Sequence, residues 1–122
     1  MYDREQVTPF PGRALPPVAY PEVDRSQFIE GKGSLYGLKA LAGVLQDAQA
    51  MEQEGAGRNN MLSRTAFRIG QLVAAGDVDG PYAEDFVERL AEAVCPDERQ
   101  KATNTVKRGL ISGRRYPRGS GK

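Results

Sequence analysis

Eight basic side chains crowd residues 98–122: Arg99, Lys101, Lys107, Arg108, Arg114, Arg115, Arg118 and Lys122, against the single acid Glu98. Clustered lysines and arginines neutralise phosphates and release condensed counterions, so this block points to nucleic acid. Tyr116 stands among the arginines, where its ring can stack on an unpaired base. The same cations suit two other roles. Near a helix C-terminus they are favoured by the macrodipole or simply stay solvated, and they would also attract an acidic protein partner. A second basic set is Arg58, Arg64 and Arg68. Arg64 and Arg68 are four apart and share a helix face, with Gln71 on the same side. Arg58-Asn59-Asn60 reads as a helix N-terminus, where free N–H groups favour an anion; these residues equally serve as a plain cap.

Other chemistries are poorly provided for. The chain has 122 residues, no His, no Trp and one Cys, Cys95. Without His there is no Ser-His-Asp triad and no His-ligated zinc. One Cys makes no internal disulfide or metal cluster, and Cys95 reads as a small apolar residue at a helix end. Asp77, Asp79, Glu84 and Asp85 lie close together but do not match the spacing of a calcium-binding loop. Gly31-Lys32-Gly33-Ser34 lacks the leading glycine and the strand of a phosphate loop. The expectation is a non-enzyme with no catalytic residues, no metal and no cofactor.

The net charge of +1 seems at first to oppose nucleic acid, but it is a cancellation. Residues 1–36 carry −1, residues 37–76 carry +1, residues 77–97 carry −6 and residues 98–122 carry +7.

Positioning these residues falls to helices. Residues 1–33 hold five of the eight prolines, Pro9, Pro11, Pro16, Pro17 and Pro21. Repeated X-Pro steps keep a chain extended, so this is an arm, in the main a mobile tail. Its Phe10, Leu15, Val18, Tyr20 and Phe28 are available to dock on the body or on a partner. From Ser34 the pattern becomes helical. Leu38, Leu41, Leu45 and Ala48 define a first helix, stopped at Gly55-Ala56-Gly57. Leu62, Ala66, Ile69 and Val73, widened by Phe67 and Leu72, define a second, capped by Asn59 or Asn60 and ended at Gly76. A third begins at Pro81 with Glu84 and Asp85 in its first turn. It carries Ala83, Phe86, Val87, Leu90, Ala93 and Val94. Asp97 and Gln100 resemble a capping box for a fourth, which runs through Ala102, Val106, Leu110 and Ile111 and closes at Gly113 and Pro117. No strand pattern occurs. The fold expected is all-α: a compact bundle of about four helices over residues 34–118, an extended Pro-rich N-terminal arm over 1–33, and a flexible basic tail over 119–122. No stretch is long and apolar enough for a membrane span and no secretory signal is visible, so a cytoplasmic protein is expected.

Gly57-Arg58-Asn59-Asn60-Met61-Leu62, followed by Ala66-Phe67-Arg68-Ile69-Gly70-Gln71-Leu72-Val73-Ala74-Ala75-Gly76, resembles a helical module of replication proteins of actinobacteria and their phages. In bifunctional primase/polymerases and primase–helicase proteins this module follows the catalytic domain. Thr105-Val106-Lys107-Arg108-Gly109-Leu110, Gly113 and Pro117-Arg118 continue the likeness, and Tyr36-Gly37-Leu38-Lys39-Ala40-Leu41 resembles its start. Ser63 stands where the family usually has Asn, Arg108 where Ser is common, and Val94-Cys95-Pro96 replaces a glycine-leucine step. The catalytic primase/polymerase domain and any ATPase motor are missing. The resemblance implies a replication-associated module that contacts template or nucleotide through Arg58, Asn59, Arg68 and Thr105.

The expected function is therefore a non-catalytic DNA-binding accessory module of phage or mobile-element replication. It would hold single-stranded or template DNA through Arg58, Asn59, Arg64, Arg68, Lys101, Thr105, Lys107, Arg108, Arg114, Arg115, Tyr116 and Arg118. A replication polymerase, primase or helicase is the expected protein partner. The alternative is a phage-encoded adaptor or inhibitor of a replication or defence protein, binding through the apolar arm and the acidic third helix.

Overall fold

The apolar spacing read from the sequence produces four helices in the order expected. In a computed structural model, which describes residues 19–28, 33–53, 55 and 57–116, α1 spans Leu35–Gln53, α2 Arg58–Ala74, α3 Gly80–Val94 and α4 Arg99–Arg114. No strand occurs among the described residues. No helix among them is long and apolar enough to cross a membrane. Helix α2 packs against α1, α3 and α4, and α3 packs against α4. The core is one cluster, with Leu41 and Val44 of α1, Met61, Leu62, Ile69 and Leu72 of α2, Phe86, Val87 and Leu90 of α3, and Val106 of α4 at its centre.

Local chemistry sets the ends. At the end of α2, Gly76 takes φ 82°, a conformation that only glycine adopts freely. Its N–H donates to the Val73 carbonyl at 3.0 Å, and the Asp77 N–H donates to Leu72 at 3.0 Å. This pair of bonds is a Schellman cap. Asp79 caps α3, its side chain accepting from the Tyr82 N–H at 3.2 Å.

Several expected ends differ. Helix α2 begins at Arg58 with Gly57 at the cap and no side-chain cap, so Asn59 and Asn60 lie inside its first turn. Helix α3 begins one residue before Pro81, which leaves no acid in its first turn; Glu84 and Asp85 fall in the second. The expected capping box of α4 is replaced by a 3-10 turn, Pro96–Glu98, without a side-chain cap. Gly113 does not close α4; it lies buried within the last turn. Ile111, expected in the core, is 56% exposed.

The most extensive helix–helix contact joins α2 to α4, and three glycines bring the two close. A Cβ at Gly70 would lie 2.3 Å from the Leu110 carbonyl oxygen, and one at Gly113 would lie 2.0 Å from that of Phe67. At Gly109 the distance to the Ser63 oxygen would be 2.9 Å. The two helices therefore meet backbone to backbone, with no side-chain layer between them.

Part of the expected arm folds onto the body. Phe28 is buried in a 3-10 turn, Arg25–Phe28, edge-on to Tyr82 at 5.9 Å between ring centroids. The Asp24 N–H donates to the Tyr82 hydroxyl at 2.9 Å, and the Tyr20 hydroxyl donates to Glu52 of α1 at 2.5 Å. Of the arm residues expected to be available for docking, Tyr20 and Phe28 meet the body, at a carboxylate and in the core respectively. Phe10, Leu15 and Val18 of the arm, and residues 119–122 of the tail, lie outside the described residues.

Candidate nucleic-acid interface

Helix α4 presents the basic block, and its 3.6-residue turn divides that block in two. Residues seven apart fall on nearly one line along a helix, and a step of eight, as from Arg99 to Lys107, turns by only about 80°. Arg99, Lys107 and Arg114 point to α3 and meet its acids in antiparallel order. Arg99 pairs with Glu92 at 3.2 Å, Lys107 with Glu88 at 3.6 Å and Arg114 with Glu84 at 3.7 Å. Much of the −6 and +7 polarity is thus spent on a ladder between two neighbouring helices.

The other line is Lys101, Arg108 and Arg115, each seven apart, with Thr105 and Ser112 between. These three cations are exposed, and no ion pair engages them among the described residues. They flank the glycine seam on the side of α2. There a groove of about 400 Å³ is lined by Asn59, Ser63 and Phe67 of α2 and by Thr105, Arg108, Gly109 and Ser112 of α4. No carboxylate lines it. Thr105 Oγ1 sits 2.7 Å from Asn59 Oδ1 and 3.1 Å from the Lys101 carbonyl. Its single proton serves one of these at a time, and the contact ties the start of α2 to α4. Past the groove the chain turns, and the Tyr116 N–H donates to the Gly113 carbonyl at 3.0 Å. This places the Tyr116 ring 6.2 Å from that of Phe67, at 35°.

The remaining expected site residues are elsewhere or otherwise engaged. Arg58 donates to the Val94 carbonyl at 3.3 Å and meets Asp97 at 3.4 Å. It therefore ties the start of α2 to the end of α3 and does not form an open anion corner. Arg68 is held by Asp47 of α1 at 2.6 Å. Arg64 is exposed on α2 without an ion pair among the described residues, and lines a separate pocket on the α1 side with Asp47, Ala50, Met51 and Arg68. Lys107 and Arg114 belong to the ladder. Arg118 lies outside the described residues. The structure thus gathers Asn59, Thr105 and Arg108 around the groove, with Lys101, Arg115 and Tyr116 next to it along the chain, and leaves Arg64 on the α1 side. It adds Ser63, Phe67 and Ser112, which sequence reasoning missed. For Phe67 the signal lay in its position, on the edge of the α2 stripe and not in its centre.

Burial pushes the Cys95 thiol above its ordinary value, so it stays protonated at neutral pH and is a poor nucleophile. Comparison of the chain with protein-family models, with curated proteins and with solved structures gives no match.

Proposed function

We propose that the protein is a non-catalytic DNA-binding module that holds single-stranded or template DNA along the α2–α4 face. One observation carries this reading: Lys101, Arg108 and Arg115 have no ion pair among the described residues, and Arg108 lines a polar groove with no carboxylate among its described lining residues. Along a helix the row advances about 10 Å per step, which is about three nucleotides of a B-form strand. Hydroxyl and amide groups of Asn59, Ser63, Thr105 and Ser112 add neutral donors of the kind that contact phosphate and sugar. The replication setting, with a polymerase, primase or helicase as protein partner, rests on the resemblance of residues 34–118 to the helical module of primase/polymerases.

The competing adaptor reading draws less support. Glu84, Glu88 and Glu92 of the acidic third helix already face cations of α4. Tyr20, Val23 and Phe28 of the arm are spent on the body. The test is fluorescence anisotropy with labelled single strands over a salt series. Binding that weakens steeply as salt rises is expected. A response flat in salt, or no binding at low salt, refutes the proposal.

A further inference from the structure

Phe67 lines the groove, and Tyr116, just outside that lining, packs against it. Their centroids are 6.2 Å apart and their planes are tilted by 35°. Tyr116 is 60% exposed, whereas Phe67 is half-buried and fixed in α2. Neither ring is committed to the core cluster. A planar base between two rings needs about 7 Å, since stacked planes repeat at about 3.4 Å. At 6.2 Å and 35° the two rings touch as they stand, so a base enters only when the exposed Tyr116 ring swings outward by about 1 Å.

The surroundings suit a base and its flanking phosphates. Arg108 lines the groove beside Phe67, and Arg115 immediately precedes Tyr116. Ser63 and Ser112 lie on the two banks at the same level. The spacing of the rings is set by backbone. Gly113 lets α4 rest on the Phe67 carbonyl, and the Tyr116 N–H is tied to Gly113.

The geometry points to a base clamp: one unpaired nucleobase inserts between Phe67 and Tyr116 while Arg108 and Arg115 hold the phosphates on either side. This rests on the DNA-binding reading above and sharpens it. A stacked base inside a duplex offers no free faces, so the clamp makes the protein selective for single strands. It also gives Phe67 a function outside the core.

The experiment uses thymidine oligomers of about 20 nucleotides, long enough to hold a duplex, carrying one 2-aminopurine at successive positions, alone and annealed to complement, with the full chain. Binding is followed by anisotropy, and insertion by loss of 2-aminopurine fluorescence. Quenching is expected with single strands at one or more positions and not with duplex. Tyr116→Ala abolishes the quenching and weakens single-strand binding at least about fivefold, with the salt slope unchanged. Tyr116→Phe, which keeps the ring, retains both. Phe67→Leu, which keeps apolar bulk but loses the aromatic face, reduces the quenching without unfolding the protein. Salt-dependent binding without quenching at any position overturns the clamp and leaves DNA binding standing. Quenching that persists in both Tyr116→Ala and Phe67→Leu also overturns it. Failure of every strand to bind overturns both readings.

Discussion

The two rows of three cations along α4 allow a matched exchange of charge. Replace Lys101, Arg108 and Arg115 together by Gln, and in a second protein replace Arg99, Lys107 and Arg114 by Gln. Either set lowers the net charge from +1 to −2, so any difference between the two proteins comes from position. On single strands each phosphate neutralised contributes about 0.7 to the slope of log K against log salt. Loss of the free row therefore lowers the slope by about 2. Between 50 and 200 mM salt the row accounts for about a 20-fold fall in affinity. The ladder row behaves differently. Its members are already neutralised by Glu92, Glu88 and Glu84, and the slope changes by less than about 1. The cost there is in stability. The pairs are half-exposed or more and two of the three are longer than 3.5 Å, so the low end of the usual range applies, about 1 kcal/mol for all three. Anisotropy titrations at four salt concentrations give the slopes, and urea unfolding gives the stability. Equal slope changes in the two proteins would refute the division of charge on which the proposed function stands.

The glycine seam makes a sharp prediction because helix propensity and packing oppose each other. Gly113→Ala gains up to about 1 kcal/mol of propensity, but its Cβ would lie 2.0 Å from the Phe67 oxygen; a net loss of about 2 kcal/mol or more is expected in thermal unfolding. Gly43→Ala in α1, with nothing within 4 Å of its new Cβ, should gain about 0.5–1 kcal/mol. The Thr65 hydroxyl is buried without a hydrogen-bond partner, so Thr65→Val should stabilise by about 1 kcal/mol in urea, and a loss would show that the hydroxyl is satisfied. Burial raises the phenol of Tyr20, helped by its bond to Glu52, and burial likewise raises that of Tyr82. Stability from these groups is complete below the ordinary tyrosine value of 10.0 and is lost as pH rises from there through the higher folded values. Ultraviolet titration should show two of the five tyrosines ionising late, and Tyr20→Phe should remove one of them.

Helix existence was legible because three- and four-residue apolar spacing is local information. Leu41, Leu45, Ala48, Leu62, Ala66, Ile69, Phe86, Leu90, Val106 and Leu110 all enter the core as their spacing demands. The glycine stop of α2 at Gly76 was legible, but the N-terminal caps of α2 and α4 were not, since several residues near each start were chemically competent. Asn59 was drawn into a contact with Thr105 across the bundle, and Asp97 into one with Arg58. Both are tertiary contacts that outrank a local cap. Ile111 misled because it follows Leu110 directly; one step of about 100° carried it from the core edge to solvent. The two charge rows were visible as intervals of seven and eight residues, but which row is neutralised depends on α3 lying to one side of α4 and α2 to the other. Only the packing supplies that.

Glycine seam and free cation row depend on each other. Two helices that meet through large side chains keep their flanking residues a layer apart. Here Gly70, Gly109 and Gly113 bring the backbones into contact, so the residues beside the seam on α4 stand next to those on α2. That brings Asn59 to Thr105 and Phe67 to Tyr116. The same close approach fixes the rotation of α4 about its axis. With its small residues turned to α2, the line Arg99, Lys107 and Arg114 must face the acids of α3, and the line Lys101, Arg108 and Arg115 must face outward along the groove. A glycine pattern that reads as weak helix thereby decides which half of a basic block remains available to bind.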